Sequence, residues 1–342
     1  MYILVTGGAG YIGSHTVRAL QKENFEVVVL DNLIYGHKKI VENVLKVPLI
    51  VGDIGNKELI TQILSGKHPK TNGKKIMAVI HFAAFAYVGE SVKKPLKYYI
   101  NNVKKSISFF ESIFEESSNR SKGEISRQIP IVFSSTCATY GIPKKLPIIE
   151  STEQNPINPY GRSKLMIENI LKDLYFSHNI PSMIFRYFNA AGADPKGDIG
   201  ENHIPETHLI PLAFDALTKE KCKFQLFGND YQTFDGTCIR DYIHVTDIAD
   251  AHVKGLIKIL NEGGQHIYNL GTGNGLSVKQ VLKSIEKVTN LELNIEIHPR
   301  RQGDPPILVA SPNKALNELN WKPSYSNIDT IVEHAWKWYQ RI

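Results

Sequence analysis

Short apolar runs recur along the first half of the chain, and each ends in small or polar residues. Nearly continuous apolar runs are typical of strands in a parallel sheet that is covered on both faces. Stretches with helical periodicity separate several of these runs. The pattern predicts an α/β fold with a doubly wound parallel sheet. The predicted strands are Tyr2–Val5, Phe25–Leu30, Leu49–Val51, Met77–Ile80, Ile131–Phe133 and Met183–Phe185.

The elements become shorter after Asn189, which predicts a smaller, interleaved α/β domain. We expect one domain at residues 1–188 with a return segment near 236–262, and a second at residues 189–342. The predicted later elements are a helix Leu209–Thr218, a strand Phe224–Phe227, a helix Val245–Leu260, a helix capped by Ser277 that runs to Thr289, and a short helix opened by Ser311 with Pro312 in its first turn.

A long helical pattern runs from Ser91 to Phe114. Its bulky apolar residues could face either the core or a partner subunit, and the core is the default interpretation. They are Phe109, Phe110, Ile113 and Phe114. The lysine-rich stretch Gly66–Lys75 and the serine-rich stretch Ser117–Ser126 are predicted to be surface loops.

A glycine-rich turn joins the first predicted strand to a helix. Gly8, Gly10 and Gly13 match G-x-G-x-x-G, and Gly7, Gly10 and Gly13 match its G-x-x-G-x-x-G variant. Such a turn lets a pyrophosphate approach the backbone at a helix N-terminus. The second strand leads to Asp31, 18 residues after Gly13, and an acid there binds the ribose hydroxyls and repels a 2'-phosphate. The spacing predicts a Rossmann-type site for NAD rather than NADP; a glycine-rich turn without a ligand is the alternative.

The other predicted strands also end in polar or small residues. Ligands of open α/β sheets bind beyond these carboxyl ends. Asp53 and Ile54 follow the third strand and are candidate adenine contacts, although Asp53 could instead be a helix N-cap. The further endings are His81–Ala84, Ser134–Thr136 and Tyr187–Asn189.

Tyr160 and Lys164 lie four residues apart at the head of a predicted helix that Pro159 opens, so they share one face. A phenol titrates near ~10, and making it a base at neutral pH takes about 4 kcal/mol. A cation about 4 Å away at an effective dielectric of ~20 supplies that order of energy. Tyr160 is therefore a candidate proton acceptor; a solvated surface pair is the alternative.

Composition and charge exclude several classes of protein. The chain has 342 residues with a net charge of +6 that is spread over short lysine pairs, without the aromatic interleaving of nucleic-acid binders. No apolar run approaches the ~20 residues of a membrane span. The early glycine motif leaves little room for a secretory leader, and three cysteines without close spacing favour a reduced, cytoplasmic protein. The twelve histidines contain no H-E-x-x-H motif, so no metal site is predicted.

The glycine motif, the Ser134-Ser135-Thr136 strand end and the Tyr160-x-x-x-Lys164 spacing resemble the extended short-chain dehydrogenase/reductase family. Longer runs resemble its UDP-glucose 4-epimerases, nearly end to end from Thr6 to about Trp321. These runs are Val88–Ser91, Arg186–Asn189, Phe227–Tyr231, Asp235–Thr237, Arg240–Val245 and Tyr268–Gly271.

That resemblance implies an NAD-dependent isomerase acting on a UDP-sugar, with Tyr160 as base, Lys164 on the nicotinamide ribose and the Thr136 hydroxyl at the sugar O4. It implies cofactor contacts at Gly7, Gly10, Tyr11, Ile12, Gly13, Asp31, Asn32, Asp53, Ile54, Phe82, Ala83, Asn101, Ser134, Tyr160, Lys164 and Phe188. It implies substrate contacts at Thr136, Tyr160, Asn189, His208, Leu209, Gln225, Phe227, Arg240, Tyr242, Arg301 and Asp304.

The implied reaction removes the proton of the sugar 4-hydroxyl and a hydride from C4, lets the 4-keto sugar turn, and returns both to the other face. Relatives commonly dimerise through helices that correspond to Ser91–Phe114 and Tyr160–Phe176, so a homodimer is expected. A sugar-nucleotide 4,6-dehydratase would need an Asp-Glu pair where Cys137-Ala138 stands. A non-catalytic binding module would have no need of both Tyr160 and Lys164.

Three positions depart from the family pattern. Ala86 stands where many members have a cofactor-binding lysine, and His208 where some have Asn. Leu308 occupies the position of a bulky Tyr in members restricted to unsubstituted hexoses, so an N-acetylhexosamine could fit. UDP-xylose/UDP-arabinose 4-epimerases are similar too, which leaves the sugar open.

Overall fold

The structure is a computed structural model that describes residues 1–120, 128–219, 222–301, 304–325 and 327–342. Its strands follow the apolar runs of the sequence. They are β1 (Tyr2–Thr6), β2 (Glu26–Asp31), β3 (Leu49–Val51), β4 (Ala78–His81), β5 (Ile131–Thr136), β6 (Ser182–Tyr187), β7 (Asn189–Ala191), β8 (Phe224–Phe227), β9 (Ile239–His244), β10 (Gln265–Leu270), β11 (Gly275–Ser277), β12 (Ile295–His298) and β13 (Ile307–Leu308).

Helices connect most of these strands. They are α1 (Tyr11–Lys22), α2 (Lys57–Leu64), α3 (Val88–Lys93), α4 (Pro95–Tyr98), α5 (Lys105–Arg120), α6 (Pro159–His178), α7 (Leu209–Thr218), α8 (Val245–Glu262), α9 (Val278–Thr289), α10 (Asn313–Glu318) and α11 (Ile328–Tyr339). Within the described residues, no helix combines the length and the apolar character needed to cross a membrane.

The chain divides into two compact units. Unit 1 comprises Met1–Gly141, Gln154–Arg186 and Ala249–Tyr268, and unit 2 comprises Ile142–Glu153, Tyr187–Ile248 and Asn269–Ile342. Each unit is therefore assembled from segments that are distant in sequence.

A seven-stranded sheet in the order β10-β6-β5-β4-β1-β2-β3 forms the centre of unit 1 among the described residues. β1 runs parallel to β2 and to β4, with Ile3 opposite Val27 and Ala78. β2 and β3 extend the sheet on one side of β1, and β4, β5, β6 and β10 extend it on the other. The strand order therefore reverses at β1, and open α/β sheets bind ligands at such a point. The predicted α/β fold with a doubly wound parallel sheet is confirmed.

The long helical pattern from Ser91 is interrupted, which corrects the prediction of one continuous helix. Lys94 adopts φ −132° and ψ 60°, because the ring of Pro95 disfavours a helical conformation at the preceding residue. The chain then continues through α4, a π-helical segment Tyr99–Lys104 and α5. Phe109, Phe110 and Ile113 are buried in the core of unit 1 with Phe114 packed against them, which confirms the core interpretation.

Helix α5 also extends beyond the predicted start of the serine-rich loop. Ser117 is fully buried, and its Oγ accepts a hydrogen bond from the backbone N–H of Ile129. The Arg120 guanidinium donates to the carbonyls of Ile76 and Leu64. The loop prediction is therefore wrong over residues 117–120, and its remainder from residue 121 lies outside the described residues.

Unit 2 combines small sheets with α7, α9 and α11. β9 lies between β11 and β13 and also pairs with β7, while β8 pairs with β12. Ser277 caps α9 as predicted, accepting the Gln280 N–H in a capping box. Pro312 is the N-cap of α10 rather than a first-turn residue, which corrects the prediction there. Helix faces and β8 bury a second apolar core that includes Phe214, Phe224 and Ile331.

Candidate active site

The glycine turn after β1 is packed too closely for side chains. A Cβ at Gly7, whose φ is +73°, would lie 2.7 Å from the Ala83 nitrogen, and one at Gly13 would lie 2.2 Å from the Gly7 oxygen. Gly10 is the N-cap of α1, so the first N–H groups of this helix belong to Tyr11, Ile12 and Gly13. This close-packed helix N-terminus suits a pyrophosphate.

Asp31 ends β2 and is nearly buried. Its carboxylate accepts hydrogen bonds from the backbone N–H groups of Ala9 at 3.0 Å and Leu33 at 2.8 Å. Burial raises the pKa of Asp31, and these two bonds oppose the rise. The acid is thus held beside the glycine turn, where a ribose hydroxyl donor would complete its hydrogen bonding.

Asp53 follows β3 and forms an ion pair with Lys105 at 2.5 Å. Asn32 Nδ2 donates to the same oxygen, Asp53 Oδ2, at 3.3 Å. The helix-cap alternative for Asp53 is wrong, because Asn56 caps α2. Ile54 is buried in the core of unit 1. The structure therefore brings Asn32 and Asp53 together, beyond the carboxyl ends of β2 and β3.

Tyr160 and Lys164 occupy adjacent turns of α6. The Asn158 side chain caps this helix by accepting the Gly161 N–H at 2.8 Å, and Pro159 lies in its first turn. Tyr160 and Lys164 are both buried. Lys164 Nζ donates to the Ser134 carbonyl at 2.7 Å, so β5 and α6 are tied at the point where β5 ends. The predicted i, i+4 pair is buried, and the surface-pair alternative is wrong.

Burial dominates the titration of this pair. It raises the pKa of Tyr160 to about 12, although the hydrogen bond with Thr136 lowers it in part. Burial lowers the pKa of Lys164 to about 7, and the nearby Glu168 carboxylate opposes this change. The sequence argument considered only the attraction between the two groups. A phenolate at Tyr160 consequently needs additional positive charge beside it.

Glu168 lies one turn beyond Lys164 and was missed by the sequence analysis. It forms a buried ion pair with Arg186 at 2.6 Å. Its carboxylate also accepts the Ser135 hydroxyl, and the Gln154 amide at 3.0 Å. The repeat of Tyr160, Lys164 and Glu168 every four residues was the available signal.

Asn102 is a second residue that sequence reasoning missed. Its amide oxygen accepts the Phe85 N–H at 2.8 Å, and its nitrogen donates to the Phe85 carbonyl at 3.0 Å and to Ser163 Oγ at 3.1 Å. Asn101, the predicted cofactor contact, is buried and donates to Asn102 Oδ1. Asn102 thereby ties the segment after β4 to the first turns of α6.

The remaining predicted cofactor contacts that follow β4 are Phe82 and Ala83, and both lie in closely packed surroundings. The Ala83 backbone is the nearest neighbour of Gly7, and the Phe82 ring lies 4.8 Å from that of His252. Ala86, at the position of the family lysine, is exposed. Phe188 belongs to unit 2, where its N–H donates to the Leu270 carbonyl at 3.1 Å.

The predicted substrate contacts of unit 2 fall into three groups. β7, β9 and β13 carry the first, in which Asn189 pairs with Tyr242 and Arg240 forms an ion pair with Asp304. The second is at the end of the β8–β12 ribbon, where the guanidinium of Arg301, which follows β12, lies 4.1 Å from the centroid of the Phe227 ring. Gln225, which also belongs to the second group, is exposed on β8. The third group consists of His208, the N-cap of α7, and Leu209, its first residue.

Comparison with known proteins gives consistent matches. Residues 3–271 match the model of the NAD dependent epimerase/dehydratase family. A Lactobacillus helveticus UDP-glucose 4-epimerase is 46% identical over 99% of this chain and 97% of its own length. The structure of a Brucella ovis UDP-glucose 4-epimerase in complex with NAD has a TM-score of 0.89 and 42% identity, covering 99% of this chain and 98% of that one.

A Campylobacter jejuni UDP-Glc/GlcNAc 4-epimerase structure is also similar, with a TM-score of 0.82 and 37% identity over 100% of this chain and 99% of that one. These matches cover residues of both units, and not only unit 1, which contains the glycine turn. The chain belongs to the NAD dependent epimerase/dehydratase family.

Proposed function

We propose that this protein catalyses the NAD-dependent 4-epimerisation of a UDP-sugar, UDP-glucose to UDP-galactose and back, through a transient 4-keto intermediate. The observation that carries the proposal is the burial of Tyr160 and Lys164 one helical turn apart on α6, with Lys164 Nζ bound to the Ser134 carbonyl at the end of β5. The pair belongs to the same unit as the glycine turn. The relatives' names support the same reaction.

The residues at the glycine turn fit NAD. The turn leaves no space for Cβ atoms at Gly7 and Gly13, and a carboxylate beside it, that of Asp31, suits a ribose hydroxyl rather than a 2'-phosphate. Bound there, NAD supplies a reversible hydride acceptor for C4 of the sugar. Because the net redox change is zero, the protein must retain its cofactor between turnovers.

The proton steps belong to the protein. Tyr160 takes the proton of the 4-hydroxyl and later returns it to the other face of the sugar. Thr136, already hydrogen-bonded to Tyr160, orients or passes that proton. Lys164 in its charged form lowers the pKa of Tyr160 and holds the nicotinamide ribose, while the Glu168 carboxylate favours that charged form.

Assaying a panel of UDP-sugars tests the function. We expect purified protein with NAD to interconvert UDP-glucose and UDP-galactose in a coupled assay. Absence of epimerisation of every UDP-sugar in the panel would overturn the proposal. The runner-up, a 4,6-dehydratase, would instead release a stable 4-keto-6-deoxy product.

We further propose that an N-acetylhexosamine is accepted. Leu308 on β13 is buried opposite Arg240 and is smaller than the Tyr of hexose-restricted members. We expect similar turnover of UDP-glucose and UDP-N-acetylglucosamine, and selective loss of the second in Leu308→Tyr. Turnover of UDP-glucose alone by the natural protein, or of UDP-arabinose in preference to both, would contradict this specificity.

Arg301 is proposed as a diphosphate ligand. It is exposed and stacks on Phe227, so its forked donors are available to anionic oxygens. Arg301→Ala is expected to raise KM for the UDP-sugar about 10- to 100-fold with little change in kcat, because a charge-assisted bond made in both ground and transition states is lost.

The neighbouring Arg300 provides the matched control. Its guanidinium binds Asp230 at 2.7 Å and lies over the Tyr231 ring, so its charge is already paired. Arg300→Ala should leave KM within about 3-fold of its natural value, since exposed ion pairs contribute little. Equal KM changes in the two variants would remove Arg301 from the proposed binding site.

A homodimer is proposed through the segments Ser91–Phe114 and Tyr160–Phe176. Both expose large apolar side chains, which are Val92, Leu96, Ile100, Ile107, Met166 and Phe176. Burial of such a surface against a second copy would stabilise association. Sedimentation of the pure protein as a monomer would contradict the dimer. A cytoplasmic location is proposed because Cys137, Cys222 and Cys238 form no disulfide bond.

A further inference from the structure

Two histidines and two glutamates converge in unit 2, in the segment that precedes α7. One ligand atom from each of Glu201, His203, Glu206 and His208 lies within 4.8 Å of all the others. His203 Nδ1 is 3.2 Å from Glu201 Oε1, and His208 Nδ1 is 2.6 Å from the same oxygen. Glu206 Oε1 lies 3.2 Å from His208 Nδ1, and Glu206 Oε2 lies 3.9 Å from His203 Nδ1.

The nitrogen–oxygen distances are of the same order as the edges of a small coordination tetrahedron. Zinc bonds to His nitrogen and carboxylate oxygen measure about 2.0–2.2 Å, which separates neighbouring ligand atoms by about 3.3–3.6 Å. The four measured nitrogen–oxygen distances lie on both sides of that range. Rotation of these side chains would therefore be needed to bring one atom of each to bonding distance of a single ion.

The type and charge of these ligands favour a divalent transition metal. Imidazole nitrogens suit zinc and its neighbours, whereas magnesium and calcium prefer an all-oxygen set. Two carboxylates balance a 2+ charge, and they outweigh the partial positive charge of the N-terminus of α7, which begins at Leu209. Glu201 is almost completely buried, so an ion there would be partly shielded from water.

We propose that Glu201, His203, Glu206 and His208 bind one Zn²⁺ ion. Four protein ligands fill a tetrahedral shell, so the ion stabilises structure and takes no part in the proton or hydride steps. The sequence analysis predicted no metal because the spacing E-x-H-x-x-E-x-H does not match the metalloprotease motif it considered. In this assignment His208 contributes Nδ1 to the ion, and only Nε2 is left for a substrate.

The ion would hold the segment 201–208 against two helices. Glu206 Oε1 accepts the N–H groups of Thr207 and His208, immediately before α7. The carbonyl of Glu201 accepts the indole N–H of Trp338 on α11 at 2.8 Å. Metal binding is therefore expected to stabilise unit 2 and to order Leu209, the first residue of α7.

The competing account of the same geometry needs no metal. Protonated imidazoles paired with the two carboxylates would also hold these four side chains together. Only the metal site predicts one equivalent of bound metal and saturable binding. It also predicts that both are lost when His203 is replaced.

The test uses the full-length protein without an affinity tag. Protein stripped with a chelator is titrated with Zn²⁺ against a chromophoric competitor, and its metal content as purified is measured by mass spectrometry. We expect one equivalent to bind, and Zn²⁺ to raise the melting temperature. His203→Ala is expected to weaken binding at least about 100-fold, because a direct ligand counts for more than an outer-shell partner.

His334→Ala is the matched control. His334 Nδ1 lies 3.0 Å from His244 Nε2, so this substitution also removes one imidazole from a pair in unit 2 that includes none of the four proposed ligands. It should leave Zn²⁺ affinity unchanged. His203→Cys should retain binding and, with Co²⁺ in place of Zn²⁺, add a thiolate-to-cobalt charge-transfer band that locates the ion at this residue. Binding that is not saturable at one equivalent, or that is the same in His203→Ala, would overturn the proposal.

Discussion

Tyr160→Phe is expected to lower kcat by about 10²–10⁴-fold, the usual contribution of a positioned acid or base. The variant keeps the aromatic ring, which packs against Phe85 and Tyr98, so the fold of unit 1 should be preserved. Only the hydroxyl that binds Thr136 is removed. Initial rates with UDP-glucose and UDP-galactose, measured by a coupled assay, give the comparison.

Two controls separate loss of chemistry from loss of cofactor or fold. Tyr175→Phe makes the same substitution on the same helix at a half-buried position, and it should retain full activity. NAD content, measured from the absorbance of released cofactor, should be equal in the natural protein and in Tyr160→Phe. Near-normal turnover in Tyr160→Phe would remove Tyr160 from the role of base.

Local features of the sequence were enough to predict most elements. The strand Leu49–Val51 and the helix Leu209–Thr218 have the predicted bounds, because apolar runs and capping residues act over a few positions. The i, i+4 placement of Tyr160 and Lys164 is likewise a local consequence of helix geometry.

Contacts between distant positions could not be predicted in the same way. Asn102 joins Phe85 to Ser163 on α6, and Arg186 reaches Glu168 and Tyr140, although no local pattern links these residues. The direction of the Tyr160 and Lys164 pKa shifts also depends on burial, which is a property of the assembled unit. Sequence patterns therefore located the candidate reactive groups, while the structure was needed to identify what surrounds them.

The buried pair of Glu168 and Arg186 gives the second large expected effect. Both side chains are about 3% exposed, and Arg186 makes its ion pair at 2.6 Å. Glu168→Gln should lower the free energy of unfolding by about 3–5 kcal/mol, because removing one member leaves a buried charge uncompensated. Urea unfolding followed by far-ultraviolet circular dichroism measures the loss.

Glu111→Gln is the matched control, since Glu111 pairs with Lys57 at 2.6 Å while both side chains are about half exposed. This substitution should lower the free energy of unfolding by less than about 1 kcal/mol.

A double variant distinguishes uncompensated charge from lost packing. Glu168→Met combined with Arg186→Met removes both charges and keeps apolar volume, so it should recover much of the stability that Glu168→Gln loses. It should not recover activity, because Lys164 would lack the carboxylate that opposes the lowering of its pKa by burial. Equal stability of Glu168→Gln and Glu111→Gln would show that Arg186 is solvated without its partner. Full activity of the double variant would show that Lys164 keeps its charge without Glu168, and the carboxylate would then be needed only for folding.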